Sequence, residues 1–248
     1  MRPEERFQKI LDVLEKEGFV TVKSLSKRFF ISMPTVYRDL RELEYQGLVV
    51  RGNGGAMRVS EEIANMPLSF RQSLQTEEKS RIARRATKLV RPGSVLFLDA
   101  STTAACMADY LEPALNVTVL TNGLMTAVHL RDAGIQTYCV GGHLIGNSVA
   151  VAGKLADDMV DRFPIDMMFF SSVGVDPRGN IVDSSEPESC LRRHLLRKPI
   201  TSVFLCDQSK FGKHSVFRVA SLETIDYVVS DAPLPSEYPR PRRESIVV

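Results

Sequence analysis

Residues 32–58 of the chain read Ser32-Met33-Pro34-Thr35-Val36-Tyr37-Arg38-Asp39-Leu40-Arg41 and, after Leu43-Glu44 and Gly47, Leu48-Val49-Val50-Arg51-Gly52-Asn53-Gly54-Gly55-Ala56-Met57-Arg58. This order predicts a capped helix followed by a glycine-tipped β-hairpin. Ser32 is a good N-cap because its hydroxyl can accept a backbone N–H of the first turn. Pro34 is tolerated in that turn. Gly47 is typical of a helix C-terminus, and Asn53-Gly54 is a strong two-residue hairpin signal.

The predicted helix has one apolar and one polar face. Val36, Leu40 and Leu43 recur at i, i+4 and i+7, a spacing that turns them toward a core. At about 100° per residue, the opposite side carries polar and aromatic residues. These are Pro34, Arg38, Arg41 and Tyr45, with Tyr37 at the border. Exposed guanidinium groups can donate to phosphate or to guanine O6 and N7. Such a face is also common on a solvated helix, so the prediction depends on its neighbours.

Those neighbours complete a winged helix-turn-helix. A periodic segment over 4–17 ends at Gly18, and a second helix follows, capped by Thr21, with Val22, Leu25, Phe29 and Phe30 as its apolar side. The two short extended runs after the third helix predict a wing. Three short helices with a tight turn match the docking plan of proteins that bind double-stranded DNA. The predicted DNA-contacting residues are Ser32, Pro34, Thr35, Tyr37, Arg38 and Arg41, with Arg51 and Arg58 on backbone phosphates.

Composition limits the class of protein. A chain of 248 residues has room for a small domain and a medium one. The net charge of +2 excludes a uniformly basic nucleic-acid coat, so DNA affinity has to come from local patches. The charged start has no apolar run behind it, and no window approaches the roughly 18 apolar residues of a membrane span. We therefore expect a cytoplasmic protein without a membrane segment.

Metal and cofactor motifs are not found in the sequence. Cys106, Cys139, Cys190 and Cys206 are widely scattered, which favours free thiols over a disulfide or metal site. The segment at Gly153-Lys154 lacks the remainder of a Walker A motif, and no Gly-x-Gly-x-x-Gly occurs. Nucleotide hydrolysis and a dinucleotide site are therefore disfavoured, and we expect no cofactor and no metal.

The second part of the chain alternates strand and helix. After a domain at 1–58 and a linker at 59–75, we predict an α/β domain at 76–233, opening with a helix that Thr76 caps, and then a loosely ordered tail at 234–248. Its strands are predicted at 95–98, 117–120, 136–140, 149–151, 167–173, 202–205 and 225–229. Continuous apolar strands that alternate with helices predict a mostly parallel sheet covered on both faces.

Small and polar residues follow these strands. Ligands of such folds bind beyond the carboxyl ends of the strands, where these residues converge. The candidates are Asp99, Ser101, Thr102, Thr103, Thr121, Asn122, Gly141, Gly142, Gly174, Asp207 and Lys210. Loops that follow strands are often rich in such residues, but five such loops that converge at one edge of the sheet favour a phosphate-bearing ligand. Hydroxyls and amides at a helix start suit an anion, so we expect Thr102, Thr103 and Lys210 to hold the phosphate.

The chain resembles the DeoR/GlpR family of bacterial transcription regulators over roughly residues 3–233. The matching residues of the first part are Arg6, Ile10, Leu14, Gly18, Val20, Leu25, Phe29, Ser32, Thr35, Arg38-Asp39-Leu40, Leu43-Glu44, Gly47, Arg51 and Gly54-Gly55-Ala56. Tyr37 and Asn53 stand where the family usually has arginine and histidine. In the second part the candidate residues above match the family's effector domain, as do Gly153, Glu188 and the run Asp207-x-Ser209-Lys210-Phe211-Gly212.

The resemblance implies a function. The family's effector domain is similar to ribose-5-phosphate isomerase and typically senses a phosphorylated sugar, so the chain is expected to be a sugar-responsive repressor that binds operator DNA. It also implies that Glu188 belongs to the effector site. For Asp39, which lies nearer the buried side than Arg38, pairing with a neighbouring arginine is the favoured role.

Two alternatives stay open at this point. The first is a sugar-phosphate isomerase with an appended DNA-binding domain. It is disfavoured because Gly174-Val175-Asp176-Pro177 keeps only one of the three carboxylates of the similar isomerase, so we expect no enzyme. The second is a DNA binder without an effector, against which the polar strand ends argue. A homo-oligomer, dimer or tetramer, is expected because regulators usually pair half-sites.

Overall fold

The computed structural model of the chain describes residues 3–45, 48–52, 54–58, 68–146 and 148–248. The chain forms two compact units, Met1–Leu74 and Gln75–Val248. The division between the units falls at the C-terminal end of the segment 59–75 that was interpreted as a linker. The predicted positions Gly47 and Asn53 and residues 59–67 of the linker lie outside the described residues. No helix within the described ranges is both long enough and apolar enough to cross a membrane.

The first unit is a three-helix core with a small sheet. Its elements are α1 (Pro3–Glu17), β1 (Phe19–Thr21), α2 (Val22–Phe29), α3 (Met33–Tyr45), β2 (Val49–Gly52), β3 (Gly55–Arg58) and α4 (Leu68–Ser73). The three helices bury the predicted apolar stripes: Ile10 and Leu14 of α1, Leu25 of α2, and Val36, Leu40 and Leu43 of α3. The wing is a β2–β3 hairpin whose register pairs Gly52 with Gly55.

Strand β1 was not predicted. It pairs antiparallel with β3, so that the sheet order is β1-β3-β2 and the wing is joined to the segment before α2. The approach is close enough to require glycine at position 55, since a Cβ there would lie 2.5 Å from Val20 O. Only three residues long, β1 has too short a pattern to be recognised in the sequence.

The turn between α2 and α3 confirms one prediction and corrects another. Thr21 Oγ1 accepts a hydrogen bond from Ser24 N at 3.1 Å, as expected of an N-cap. Phe30 is not part of the apolar side of α2, because it is the left-handed C-cap residue, with φ 54°, and is 95% exposed. The left-handed backbone ends the helix and turns this side chain away from the core.

The second unit is a seven-stranded parallel sheet with helices on both faces. The helices are α5 (Thr76–Ala86), α6 (Thr102–Ala105), α7 (Leu124–Asp132), α8 (Lys154–Val160) and α9 (Glu186–Leu196). The sheet strands are β4 (Val95–Leu98), β5 (Thr118–Thr121), β6 (Gln136–Cys139), β9 (Met167–Phe170), β12 (Thr201–Cys206), β14 (Tyr227–Ser230) and β15 (Glu244–Val247). Their order is β15-β14-β12-β9-β4-β5-β6, with every neighbouring pair parallel. The predicted fold class is confirmed.

Side-chain alternation divides the core into two layers. In β4, Leu96 and Leu98 pack in the layer that contains Ile82 of α5, whereas Phe97 packs in the other layer, which contains Leu191 of α9. Successive side chains of a strand point to opposite faces, so a strand that is apolar throughout can be buried on both sides. The helices on each face supply the matching apolar stripes.

Several short elements were missed. They are β7 (His143–Ile145), which pairs with the expected β8 (Ala150–Ala152), and β10 (Gly174–Val175), β11 (Asn180–Asp183) and β13 (Phe217–Ser221), which form a second antiparallel sheet. Thr76 is the first residue of α5 rather than its cap, which is Gln75 with φ 49°. Helix α6 is short, because after Ala105 the chain tightens into a 3-10 turn, Cys106–Asp109.

The prediction of a loosely ordered tail at 234–248 is contradicted. Glu244–Val247 forms β15, which pairs in parallel with β14 at the edge of the main sheet. Ile246 is buried in the same core layer as Ile82, and Leu234 and Tyr238 are buried in the opposite layer. The proline and arginine content of the tail hid these apolar anchors, which recur too sparsely to give a periodic pattern.

Candidate DNA interface and effector site

The outer face of α3 is solvent-exposed and basic. Pro34, Tyr37, Arg38 and Arg41 are exposed, as the helical spacing predicts, and Tyr45 is 88% exposed. Arg38 and Arg41 form no hydrogen bond or ion pair with the residues that the structure describes. Their guanidinium groups are therefore available to an outside acceptor.

Ser32 and Thr35 are engaged at the start of the same helix. Ser32 Oγ accepts the Thr35 backbone N–H at 3.3 Å, which confirms the predicted N-cap, and it lies 2.8 Å from Thr35 Oγ1. The hydroxyl of Thr35 is half-buried and retains capacity for a second hydrogen bond. These two residues shape the N-terminus of α3.

The two wing arginines are paired within the chain. Arg51 contacts Glu44, with Nε 2.7 Å from Oε2, and its backbone N–H donates to Oε1 of the same carboxylate at 3.2 Å. Arg58 forms an ion pair with Glu15 of α1. Contact of either arginine with DNA would require exchange of a carboxylate for a phosphate. Ion pairs that are partly open to solvent, as these are, are weak, typically about 0–1 kcal/mol, so little free energy is lost when a phosphate replaces the carboxylate.

Asp39 is buried against Arg6, a partner that the sequence left unnamed. Arg6 Nε and Nη2 donate to Asp39 Oδ2 and Oδ1 at 2.5 and 2.7 Å, which confirms the expected pairing with an arginine. The hydrogen bond to Asp39 raises the pKa of Arg6 above its ordinary value. The bidentate contact fixes α3 to α1 and so orients the exposed face of α3.

In the second unit, the chain changes direction across the sheet between β4 and β9. From β4 the chain runs through β5 to β6 on one side, and from β9 it runs through β12 to β15 on the other. Loops that leave neighbouring strands in opposite directions open a crevice, where ligands of open α/β folds bind. Asp99 lies at the end of β4 and accepts the Ser171 N–H, beyond the end of β9, at 3.4 Å. The switch point is therefore lined by Asp99.

Asp99 organises the loop that follows β4. Its Oδ1 accepts the backbone N–H and the hydroxyl of Ser101, at 3.1 and 2.5 Å. Ser101 Oγ in turn accepts Ala104 N at 3.2 Å and so caps α6. Thr102 and Thr103 are the first two residues of α6 and are buried. The N–H groups of a first turn have no intrahelical acceptor, so these two amides are suited to an anion.

Arg192 is a central residue of this site, and the sequence did not reveal it. The Arg192 guanidinium donates to Asp99 and to Asp183, each at 2.8 Å, and lies 3.8 Å from Glu188. Burial disfavours its charge, but the attraction of the three carboxylates outweighs burial and raises the pKa of Arg192. The cluster joins β4, β11 and α9 and carries two more formal negative charges than positive ones.

Thr121 and Asn122 follow β5, the neighbour of β4. Thr121 Oγ1 accepts Gly123 N at 3.1 Å and so shapes the loop. Asn122 is buried, and its Oδ1 accepts no hydrogen bond from any residue that the structure describes. A Cβ at Gly123 would lie 3.0 Å from Ala100 Cα, so this loop packs tightly against the loop after β4. Asn122 therefore brings a buried, unsatisfied acceptor to the vicinity of Asp99.

The glycines of the predicted site serve different purposes. Gly142 has φ 142°, and a Cβ there would lie 2.5 Å from Ala152 O of the β7–β8 hairpin. Glycine at this position therefore allows the backbone to pass close to that hairpin. Gly141 is exposed and has open space beside it. Gly174 packs against the loop after β12, since a Cβ would lie 2.4 Å from Lys213 Cβ and 2.7 Å from Lys210 O.

The two remaining predicted residues lie on the loop after β12. Lys210 Nζ donates to Ser172 O at 2.5 Å, which places this cation at the β9 side of the crevice. Asp207 is used locally: its carboxylate accepts Ser209 N at 3.2 Å. It also lines a cavity of about 330 Å³ with Gln75, Glu78, Gln208, Ser209 and Asp231.

The structure thus sorts the predicted effector residues. Arg192 joins Asp99 to Glu188, and Ser101 is hydrogen-bonded to Asp99. Lys210 reaches the adjoining loop of β9. Among the described residues, no hydrogen bond or ion pair links Gly141, Gly142 or Asp207 to Asp99, Arg192 or Glu188. The missed residues are Asp183, Ser171, Ser172 and Arg192. For Arg192 a signal existed, since it lies four residues after Glu188 on the helix face that also carries Leu191 and Leu195.

Comparison with known proteins decides the family. The family model of the DeoR C-terminal sensor domain matches residues 74–232, and that of the DeoR-like helix-turn-helix domain matches residues 6–62. The chain belongs to the DeoR family of transcriptional regulators. This DeoR-family protein is a DNA-binding regulator, and the comparisons do not favour the isomerase alternative.

Curated relatives cover nearly the whole DeoR-family chain. The glycerol-3-phosphate regulon repressor of Escherichia coli (strain K12) is 30% identical over 95% of this chain and 93% of the relative. The HTH-type transcriptional regulator GolR of Listeria innocua is 32% identical, covering 93% and 91%. The transcriptional repressor AccR of Agrobacterium fabrum is 31% identical, covering 92% and 90%.

Solved structures include more distant matches. Ribose 5-phosphate isomerase A from Methanocaldococcus jannaschii has a TM-score of 0.41 and 18% identity, covering 56% of this chain and 55% of that chain. The full-length sorbitol operon regulator SorC from Klebsiella pneumoniae has a TM-score of 0.40 and 10% identity, covering 90% and 96%.

Proposed function

We propose that this DeoR-family protein is a repressor whose affinity for operator DNA is set by a phosphorylated sugar bound in its second unit. The observation that carries the proposal is the crevice between β4 and β9, where buried carboxylates, an unsatisfied Asn122 oxygen and the Lys210 ammonium lie on adjoining loops. Relatives named as regulon and transcriptional repressors support the same direction of control. The site of action is the cytoplasm, where the operator is found.

The phosphate of the ligand is assigned to Lys210 and to the first turn of α6. One of the three N–H groups of the Lys210 ammonium donates to Ser172 O, and the other two remain for phosphate oxygens. Thr102 and Thr103 supply first-turn amides from the neighbouring loop. The Arg192 cluster, with its excess of carboxylates, would repel a phosphate. The anion therefore belongs on the Lys210 side of the crevice.

The sugar hydroxyls are assigned to the acceptors of the cluster. Hydroxyl groups donate well to carboxylates, and hydrogen bonds to charged groups contribute about 1.5–3 kcal/mol each. Arg192 holds Asp99 and Glu188 in place and keeps their charges tolerable in a buried setting. Asn122 Oδ1 would gain the hydrogen bond that it lacks. Binding, rather than turnover, is the role of these groups.

The effector site is tested by calorimetry against a panel of sugar phosphates. Lys210→Ala should weaken binding of the best ligand at least roughly 10-fold, as loss of a charge-assisted hydrogen bond implies. Lys213→Ala, three residues further along the same loop, is the matched control and should bind like the wild type. Equal affinity in both variants would remove Lys210 from the site. An aldose–ketose interconversion assay on the same ligands should show no turnover.

DNA is expected to receive α3 in its major groove. Arg38 and Arg41, together with Thr35, would contact base edges, with Ser32, Pro34 and Tyr37 at the border, and Arg51 and Arg58 would contact phosphates. Arg38→Ala should cost on the order of 1–3 kcal/mol, or roughly 5- to 150-fold in operator affinity.

The operator measurement is fluorescence anisotropy on a fragment selected with the wild-type protein, at constant salt. Arg131→Ala, an exposed arginine of α7 in the second unit, is the control. An Arg38→Ala variant with wild-type operator affinity would refute this docking. A ligand shifts an equilibrium only by its differential affinity for the two states. If a sugar phosphate that binds the protein leaves operator affinity unchanged, the proposed regulation of DNA binding by the effector is refuted.

A homo-oligomer, dimer or tetramer, is also proposed. One recognition helix contacts few base pairs, so a pair of half-sites is needed for specificity. Light scattering coupled to size-exclusion chromatography would measure the mass directly, and a monomer at micromolar concentration would contradict this part of the proposal.

A further inference from the structure

The segment that follows the match to the family's sensor domain packs onto the loop that carries Lys210. That match ends at residue 232, and residues 233–248 continue over the surface of the second unit before forming β15. Leu234 and Tyr238 are buried in the core layer that also contains Leu191. The segment is therefore an integral part of the second unit.

Tyr238 makes two contacts with this loop. Its hydroxyl oxygen accepts the backbone N–H of Gly212 at 2.9 Å. Its ring lies against Phe211, with ring centroids 5.2 Å apart and an interplanar angle of 59°. Gly212 has a left-handed backbone, with φ 74°. The hydrogen bond and the ring contact together hold the chain direction two residues after Lys210.

The segment that carries Tyr238 is attached to the second unit by further contacts on either side of this residue. Pro239 packs on Gly179, where a Cβ would lie 2.4 Å from the proline ring. Arg240 Nη1 donates to Leu234 O at 3.0 Å, which closes the segment on itself, and Arg242 N donates to Ile225 O at 2.8 Å. Because Tyr238 sits between fixed points, its hydroxyl presents a rigid acceptor.

Between Lys210 and Lys213 the loop is also attached to β10 and to the core layer against which Phe211 packs. Phe211 forms a single parallel bridge with Val175, and Lys213 N donates to Val175 O at 3.1 Å. Both contacts connect the loop to β10, whose Gly174 packs against the same loop. Tyr238 supplies contacts from a separate part of the chain, so both β10 and the segment after residue 232 hold the loop.

We propose that Tyr238 is a positioning residue for effector binding: its hydroxyl holds the 210–213 turn so that Lys210 Nζ is directed at the crevice between β4 and β9. This inference rests on the proposed function, because it assumes that Lys210 binds the phosphate of the effector. It adds a residue outside the family match to the determinants of the effector site. Tyr238 acts through Lys210 and does not contact the ligand.

The test uses Tyr238→Phe in the full chain, which removes the hydroxyl and keeps the ring contact with Phe211. Tyr227→Phe, the same substitution on β14, is the matched control. In ligand-free protein, amide hydrogen exchange at Gly212 should be at least several-fold faster in Tyr238→Phe than in the control. Affinity for inorganic phosphate, measured by equilibrium dialysis, should fall roughly 2- to 10-fold, as loss of one hydrogen bond implies.

A double-mutant cycle separates positioning from general destabilisation. In a Lys210→Ala background, Tyr238→Phe should cause no further loss of phosphate affinity. Unchanged phosphate affinity in Tyr238→Phe, or an equal loss with and without Lys210, would overturn the inference. A wild-type protein that binds neither phosphate nor any sugar phosphate would instead overturn the proposed function. In that case the amide hydrogen exchange of Gly212 in ligand-free protein would be the remaining test of whether Tyr238 holds the turn. An unchanged exchange rate in Tyr238→Phe would refute that role of Tyr238.

Discussion

The two units each bury an arginine, and the surroundings of the two guanidinium groups differ in charge balance. Within the part of the chain that the structure describes, Arg6 of the first unit makes a bidentate pair with Asp39 at 2.5 and 2.7 Å. Arg192 in the second meets Asp99 and Asp183 at 2.8 Å, with Glu188 at 3.8 Å. The first pair balances its charges, whereas the second cluster retains spare acceptors and excess negative charge.

This difference indicates two uses of the same side chain. A balanced, bidentate pair satisfies both partners and acts as a fixed connection between α1 and α3. An arginine shared among three carboxylates keeps them buried while leaving lone pairs for donors from outside. The first arrangement suits a DNA-binding domain that holds its DNA-contacting helix rigidly. The second suits a site that binds hydroxyl groups.

The largest expected effect is on Arg192. Arg192→Met leaves three carboxylates buried without their counter-charge and should destabilise the second unit by on the order of 3–5 kcal/mol or more. Urea unfolding followed by far-UV circular dichroism measures this. Arg193→Met is the control, because Arg193 is only partly buried and donates to a backbone oxygen, Arg218 O, rather than to a buried carboxylate. Similar unfolding midpoints for both variants would show that the cluster is not what holds β4, β11 and α9 together.

A smaller effect is expected at Asp39. Asp39→Ala removes the carboxylate from Arg6, which keeps 10% of its side-chain surface exposed and so can be partly hydrated. The expected loss is about 2–4 kcal/mol, seen as faster amide exchange in α1 and α3. Asp39→Asn, which retains an acceptor, should lose less. Sugar-phosphate affinity should be unchanged in Asp39→Ala, and a parallel loss would erase the contrast between the two arginines.

The smallest effect concerns the ion pair between Arg51 and Glu44 in the first unit. Glu44→Gln should free Arg51 and tighten binding to non-specific DNA by roughly 2- to 5-fold, as expected for a surface ion pair. Anisotropy titration at low salt measures this, because phosphate contacts weaken steeply with salt. In an Arg51→Ala background the gain should vanish. A gain that persists there would mean that Glu44 acts on DNA by simple repulsion.

Much of the first unit could be predicted, because its helices carry contiguous 3.6-residue patterns and its caps are local. The core stripe of α3, the Thr21 and Ser32 caps and the exposed Arg38 and Arg41 need only neighbouring residues to be seen. The Arg6–Asp39 contact spans 33 residues of sequence. The need of Asp39 for an arginine was predictable, but the identity of that arginine was not.

The second unit divides in the same way. Apolar runs as in β4 and β9 were evident, whereas the two-residue β10 and the edge strand β15 offered no period to detect. Asp99 was found because it directly follows a strand. Asp183 was missed because nothing local distinguishes it from a surface residue of a hairpin. The helical spacing of Arg192 from Glu188 was visible, but the spacing alone does not show that three carboxylates meet this side chain in the core.

By itself, the sequence determined the winged helix-turn-helix, the parallel sheet and the line of polar residues at its edge, since each depends on periodicity and turn chemistry over a few residues. Only the tertiary structure decided which charges share a buried site, which arginines remain available and where the segment after residue 232 packs. The physical reason is that burial and pairing of charges depend on residues far apart in the chain, and only folding sets their separation.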